Sequence, residues 1–172
     1  MSRNPLTAKN MSALTFTQNA PKLSQADIDH AEAVMNVSLP IQFVEHYLHY
    51  NGGFPSKPCV LDKHTDSFVY VKVFSSLCHK RPNSDNNTIE QSYLGFQARR
   101  AIPPEYLPFS YDDGGNQFCI HLPTQKIVYI LMDMGDFNKK LVHDIALSFD
   151  SFLDSLVSED EAEEYEDGEE DD

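Results

Sequence analysis

At 172 residues the chain is long enough for one domain around a single buried core, and 41% hydrophobic with 23% charged residues is an ordinary soluble globular composition. The formal net charge is −14, and eleven of the acids fall in residues 159–172, which leaves −3 on residues 1–158. Lys80-Arg81, Arg99-Arg100 and Lys139-Lys140 are only pairs. The clustered cationic surface that displaces counterions from nucleic-acid phosphates is therefore excluded, and a basic protein partner suits the chain better.

Residues 1–23 show no sustained periodicity and are expected to form an N-terminal arm, with Leu14 and Phe16 able to pack as a short segment. Ser24 is a candidate N-cap with Asp27 three residues on, and Ile28, Ala31 and Met35 follow at the spacing of one buried helical stripe. Pro40 breaks that pattern and starts a second helix. Its apolar positions are Ile41, Phe43, Val44, Tyr47, Leu48 and Tyr50. Gln42, Glu45, His46 and His49 fall together as one solvated face. Asn51-Gly52-Gly53 is expected to stop the helix through a left-handed glycine cap.

Ser67–Phe74 is rich in β-branched and aromatic residues and predicts a strand. Residues 88–100 predict a short helix with Ile89, Tyr93 and Phe96 on one side, and Pro103-Pro104 requires turned or extended backbone. Leu107, Phe109 and Tyr111, then Phe118, Ile120 and Leu122, alternate with period two, and the run Ile127–Met132 suits a strand buried on both faces. Ile145, Phe149, Phe152, Leu153 and Leu156 are taken as the stripe of a last helix. The expected fold class is α+β: a mainly antiparallel or mixed sheet, with two N-terminal helices and a C-terminal helix packed on it.

Residues 28–55, "IDHAEAVMNVSLPIQFVEHYLHYNGGFP", give a helix, Leu39-Pro40, a second helix and Asn-Gly-Gly. "LPFSYDDGGNQFCIHL" runs from an apolar strand through Asp and Gly-Asn into another strand, and "IALSFDSFLDSL" closes with Ser-Phe and Phe-Leu. Three such motifs in this order resemble the SUKH superfamily. That resemblance implies an α+β domain over residues 24–157; outside it, the absence of periodicity gives an arm (1–23) and the acidic composition a disordered tail (158–172). The resemblance also implies that Leu39, Pro40, Asn51, Gly52, Gly53, Phe109, Asp112, Gly115, Asn116, Phe149 and Phe152 are structural motif positions. The superfamily includes bacterial immunity proteins that neutralise polymorphic toxins, often nucleases or deaminases, and a fungal regulator of cell-wall assembly; neither branch implies an enzyme. Residues 59–90 match no family pattern, and their role stays open.

Candidate chemistry outside the resemblance is thin. Asp112-Asp113-Gly114-Gly115-Asn116 has the residues of a hairpin turn, whereas an EF-hand counted from Asp112 would place Gly114 and Pro123 at ligand positions. His46 and His49 lack the HExxH spacing of a zinc site. Cys119 and His121 share one strand face, a geometry compatible with a thiolate–imidazole pair, but no orienting carboxylate can be named. Cys59, Cys78 and Cys119 are odd in number and form neither a disulfide framework nor a zinc set. No apolar run approaches the ~18–20 residues of a membrane-spanning helix, and residues 1–24 contain no secretory h-region. The expectation is a cytoplasmic, non-enzymatic protein without metal, cofactor, membrane or direct nucleic-acid binding. Its partner is expected to be a protein, a cognate and basic toxin domain. The alternative is a regulatory scaffold of the fungal kind, with an enzyme using Asp112, Asp113, His121 or Cys119 third. The acidic tail is open to two readings: a solvated extension, or a nucleic-acid mimic for a nuclease groove.

Overall fold

The computed structural model describes residues 14–170. Ser24 caps helix α1 (Gln25–Met35) through a capping box: its hydroxyl accepts from Asp27 N–H, and the Asp27 carboxylate accepts from Ser24 N–H. Ile28, Ala31 and Met35 are buried as the helical spacing requires, and Asn36 ends the helix in the left-handed region at φ 54°. Helix α2 (Ile41–His49) follows, burying Phe43 and Tyr47 while Ile41 stays 73% exposed.

The central sheet has five antiparallel strands in the order β5 (Val73–Phe74), β6 (Tyr106–Tyr111), β7 (Gln117–His121), β8 (Ile127–Ile130) and β9 (Val142–Ala146). Two small antiparallel pairs flank it, β1 (Phe16–Thr17) with β2 (Phe54–Pro55), and β3 (Cys59–Asp62) with β4 (Ser67–Tyr70). Every pairing is antiparallel, so the mixed option falls away, and the α+β class stands. Leu107, Phe109, Phe118, Ile120, Ile127 and Tyr129 join the main core with the helices. Tyr106, Cys119, Val128 and Ile130 form a second cluster with Ile102, against which Phe96 and Phe137 pack. The sheet is thus covered on both faces, which is why β8 is apolar at every position.

Several boundaries differ from the expected ones. Ser67–Phe74 is not one strand: the chain steps between sheets at Val71-Lys72, where Val71 N–H donates to Pro58 C=O and Lys72 N–H to Tyr111 C=O. Ile145 belongs to β9 rather than to the last helix, and Ser148 separates the two by capping helix α4 (Phe149–Ser155) through Ser151. A buried strand position and a following helix happen to share an apolar spacing, so periodicity alone merges them. Helix α3 (Ile89–Ala98) has a capping box between Thr88 and Gln91.

Both chain ends are more structured than the arm-and-tail expectation. Of the expected arm, residues 1–13 lie outside the described residues; within residues 14–23, Phe16, Ala20 and Leu23 are buried and β1 pairs with β2. Phe16 packs against His46, Tyr50 and Phe74 with ring centroids 4.9–5.2 Å apart, enough apolar contact to fix the segment. Of the expected acidic tail, residues 171–172 lie outside the described residues, and Glu159–Glu170 form helix α5. Ser158 caps it by accepting from Glu161 N–H, and carboxylates in the first turn suit the helix dipole. Ala162 is buried, Tyr165 meets Phe68 edge-on at 5.5 Å, and Lys57 pairs with Glu161 at 3.7 Å.

Candidate functional site

Asn51, Gly52 and Gly53 lie where the N-terminal segment, α2 and the loop after β5 converge. Asn51 is 2% exposed and uses its whole amide: Nδ2 donates to the Pro21 and Leu77 carbonyls, and Oδ1 accepts from Leu77 N–H. The glycines do not cap α2, since its C-cap is Tyr50 in extended conformation. They allow close approach instead. Gly53 sits at φ 115°, and a Cβ there would meet Thr17 O at 2.5 Å; one at Gly52, φ 70°, would meet Phe74 O at 2.8 Å. Gly53 and Phe74 exchange both backbone hydrogen bonds across this gap. Leu39 is in the core with its N–H bonded to the Glu32 carboxylate, and Pro40 is the N-cap of α2. Phe109, Phe149 and Phe152 are buried against one another.

Asp112–Asn116 is the turn between β6 and β7. Asp112 Oδ1 accepts from Asn116 N–H, and Oδ2 accepts from Asn116 Nδ2 and from the Tyr129 hydroxyl at 2.5 Å. Asn116 Oδ1 in turn accepts from Met132 N–H, and Gly115 provides the positive φ of 84°. Burial, and then the bond to Asp112, hold the Tyr129 phenol well above its usual range. The aspartate's acceptor capacity is spent inside the hairpin, joining three strand ends. Asp113 points outward to Lys72 at 3.1 Å. Asp112→Ala is therefore expected to lower stability by about 1–3 kcal/mol and Asp113→Ala by less than about 0.5 kcal/mol in urea unfolding. Equal effects would remove the structural role assigned to Asp112.

The other candidates separate. His46 is not on a solvated face: Phe16, Phe74 and Phe149 surround its ring, and burial lowers its pKa to about 4. His49 and Glu45 remain exposed. Cys119 and His121 do share a face, and Tyr106 lies against His121 at 5.0 Å. Cys119, however, is fully buried, which raises its thiol far above the range in which a thiolate forms. His121 has its own partners, Thr124 at Nδ1 and Glu105 at Nε2. Among the described residues no group of three or more His, Cys, Asp or Glu side chains is gathered for a metal, and no helix is long and apolar enough to cross a membrane.

One polar cluster had no signal in the sequence. Asp62, 1% exposed at the end of β3, bonds His143 Nδ1 on β9 at 2.7 Å and accepts from His64 N–H, while His64 stacks on the His143 ring at 4.3 Å. Its members lie 81 residues apart in the chain. It clamps the β3–β4 hairpin to the last strand of the main sheet.

Comparison with known families adds one match: the sequence model of the SMI1 / KNR4 family (SUKH-1) covers residues 22–155. No curated protein matches the chain.

Proposed function

From the premise that the chain belongs to the SMI1 / KNR4 family (SUKH-1), which covers toxin-immunity proteins and the fungal cell-wall regulator, we propose that it is a cytoplasmic immunity protein. It binds a polymorphic toxin domain stoichiometrically and without catalysis. The observation that favours a basic partner is α5: an acid-rich helix docked on the body through Ala162, Tyr165 and the Lys57–Glu161 pair, with Asp160, Glu163, Glu164 and Asp167 exposed. An opposite charge on the toxin accelerates encounter, whereas short-range packing sets dissociation.

Gene neighbourhood identifies the toxin to test, and that toxin domain is titrated with the full chain and with residues 1–158 at low and high salt. Removal of eleven acids is expected to slow association at low salt about tenfold and to leave the off-rate nearly unchanged. The difference should vanish near 1 M salt, where the Debye length is ~3 Å. Complete loss of inhibition at saturating truncated protein would mean that the helix itself fills the toxin's groove as a nucleic-acid mimic. An association rate indifferent to salt and tail would refute the electrostatic reading, and absence of any toxin partner would favour the regulatory scaffold.

A further inference from the structure

The β3–β4 hairpin packs against β9, the last strand of the five-stranded sheet. The Asp62–His143 bond ties β3 to β9 at one end. At the other end of β3, Cys59 exchanges backbone bonds with Val157, just beyond α4. Between these ties the hairpin, the end of β9 and α4 leave an open pocket of about 490 Å³, within the ~300–1,000 Å³ of small-molecule sites. Val60, Leu61, Ile145 and Ala146 give it apolar walls, and Leu147, which also lines it, is 78% exposed. The α4 side is lined by Ser151 and Ser155, side chains too small to fill the space.

The polar groups decide what such a pocket accepts. Ser151 Oγ donates to Ser148 C=O and Ser155 Oγ to Phe152 C=O, so both hydroxyl protons are spent within the α4 segment. The side-chain donors left in the lining are the ammonium groups of Lys63 and Lys126, against Asp144 alone. Lys126 reaches Asp144 at 3.8 Å with both side chains solvated, a contact that exchanges readily. Lys63 has no ion-pair partner among the described residues. An apolar lining with a local surplus of positive donors, in a chain of net charge −14, selects a ligand with an apolar body and an anionic end.

We propose that this pocket binds a medium-chain carboxylate, a small molecule whose alkyl chain lies against Leu61, Ile145 and Leu147. Its carboxylate meets Lys63 and replaces Asp144 at Lys126. The hairpin serves as a wall of the site, so the ligand needs no opening of the sheet and no backbone pairing with β9. Burial of the alkyl chain supplies affinity, up to about fourfold per methylene, and the two ammonium groups supply the preference for an anion. The site shares no residue with acidic α5 and does not depend on the toxin reading.

The test titrates full-length ¹⁵N-labelled protein, below micelle formation, with decanoate, octanoate, octylammonium and a short N-acetylated peptide ending in leucine with a free carboxylate. Decanoate is expected to give saturable amide shifts at residues 60–63 and 145–147. Octanoate should give the same shifts at about tenfold lower affinity, and octylammonium none there. Lys63→Gln with Lys126→Gln should weaken decanoate about fivefold, and Leu147→Ser by a similar factor. All three side chains reach solvent, so the other amides should stay in place. Equal affinity for octanoate and octylammonium would overturn the proposal. So would the absence of saturable shifts, decanoate shifts centred on other surfaces, or a double-lysine variant that binds as tightly as the wild type. Tighter binding of the peptide than of decanoate would also overturn it, and would assign the pocket to the C-terminus of a protein instead.

Discussion

Phe109→Ala is expected to lower the unfolding free energy by about 3–5 kcal/mol, the largest loss of any single substitution considered for this chain. Phe109 is fully buried on β6, and its ring faces four others: Phe74 at 5.4 Å, Phe149 at 5.5 Å, Phe152 at 5.6 Å and Phe43 at 6.3 Å. Those rings come from β5, α4 and α2, so one truncation loosens the contact between the sheet and two helices. Alanine loses the transfer free energy of the ring and leaves a cavity that four aromatic neighbours cannot collapse together to fill. Against the ~5–15 kcal/mol total stability of a typical domain this is a large fraction. Ile41→Ala serves as the contrast. Ile41 was expected on the apolar side of the same α2 but is solvent-exposed, so its removal should change stability by less than about 0.5 kcal/mol. Guanidinium unfolding of both variants checks the pair, and a loss below about 1 kcal/mol for Phe109→Ala would place the centre of the core elsewhere.

The same contrast shows how much could be read from the chain. Local signals were sufficient where the cause is local: the Ser24 N-cap, the Ile28–Ala31–Met35 stripe, the alternation in β6 and β7, and the Asp112–Asn116 turn all depend on neighbours within a few residues. Signals failed where a distant segment changes what a position faces. His46 belongs to a polar stripe by spacing, but Phe16, thirty positions earlier, lies over it and turns that side of the helix inward. The short packed segment that Leu14 and Phe16 suggested and the enclosure of His46 therefore have one cause, and only the first had a local signal. Asp62–His143 and the Asp112–Tyr129 bond escaped for a similar reason, since each joins groups from different strands. Composition misled at α5, where acid content masks a helix held by a cap, one buried alanine and one aromatic contact.

The His46 ring, half-buried with its Nε2 shielded from solvent, leads to the second large effect, a loss of stability in mild acid. Its Nε2 has no hydrogen-bond partner among the described residues, and burial, with a smaller contribution from the charge of His49, holds its pKa at about 4 instead of 6.5. Between those values the unfolded chain takes up a proton that the folded chain refuses. The neutral ring's contribution is thus present in full above about pH 6.5 and is lost as pH falls toward about 4, amounting to about 3 kcal/mol in all. Glu90 opposes this. Burial raises its pKa, so the folded state gains its proton first and is favoured as pH falls through that range. Asp27, held below its usual range by its bonds to Ser24, adds to the loss at the acid end, so the wild-type slope combines opposing contributions and a single variant isolates that of His46. His46→Phe keeps an aromatic ring among Phe16, Phe74 and Phe149 while removing both the titration and the unpartnered nitrogen. At pH 7 it should stabilise the protein by about 1 kcal/mol, because an unsatisfied buried polar atom is gone. At pH 5 the advantage should widen by about 2 kcal/mol, because only the wild type has a ring at position 46 that takes up its proton on unfolding. Thermal unfolding of both proteins at intervals from pH 4 to pH 7 measures the gap directly. A gap that does not grow as pH falls would place the acid sensitivity outside this aromatic pocket.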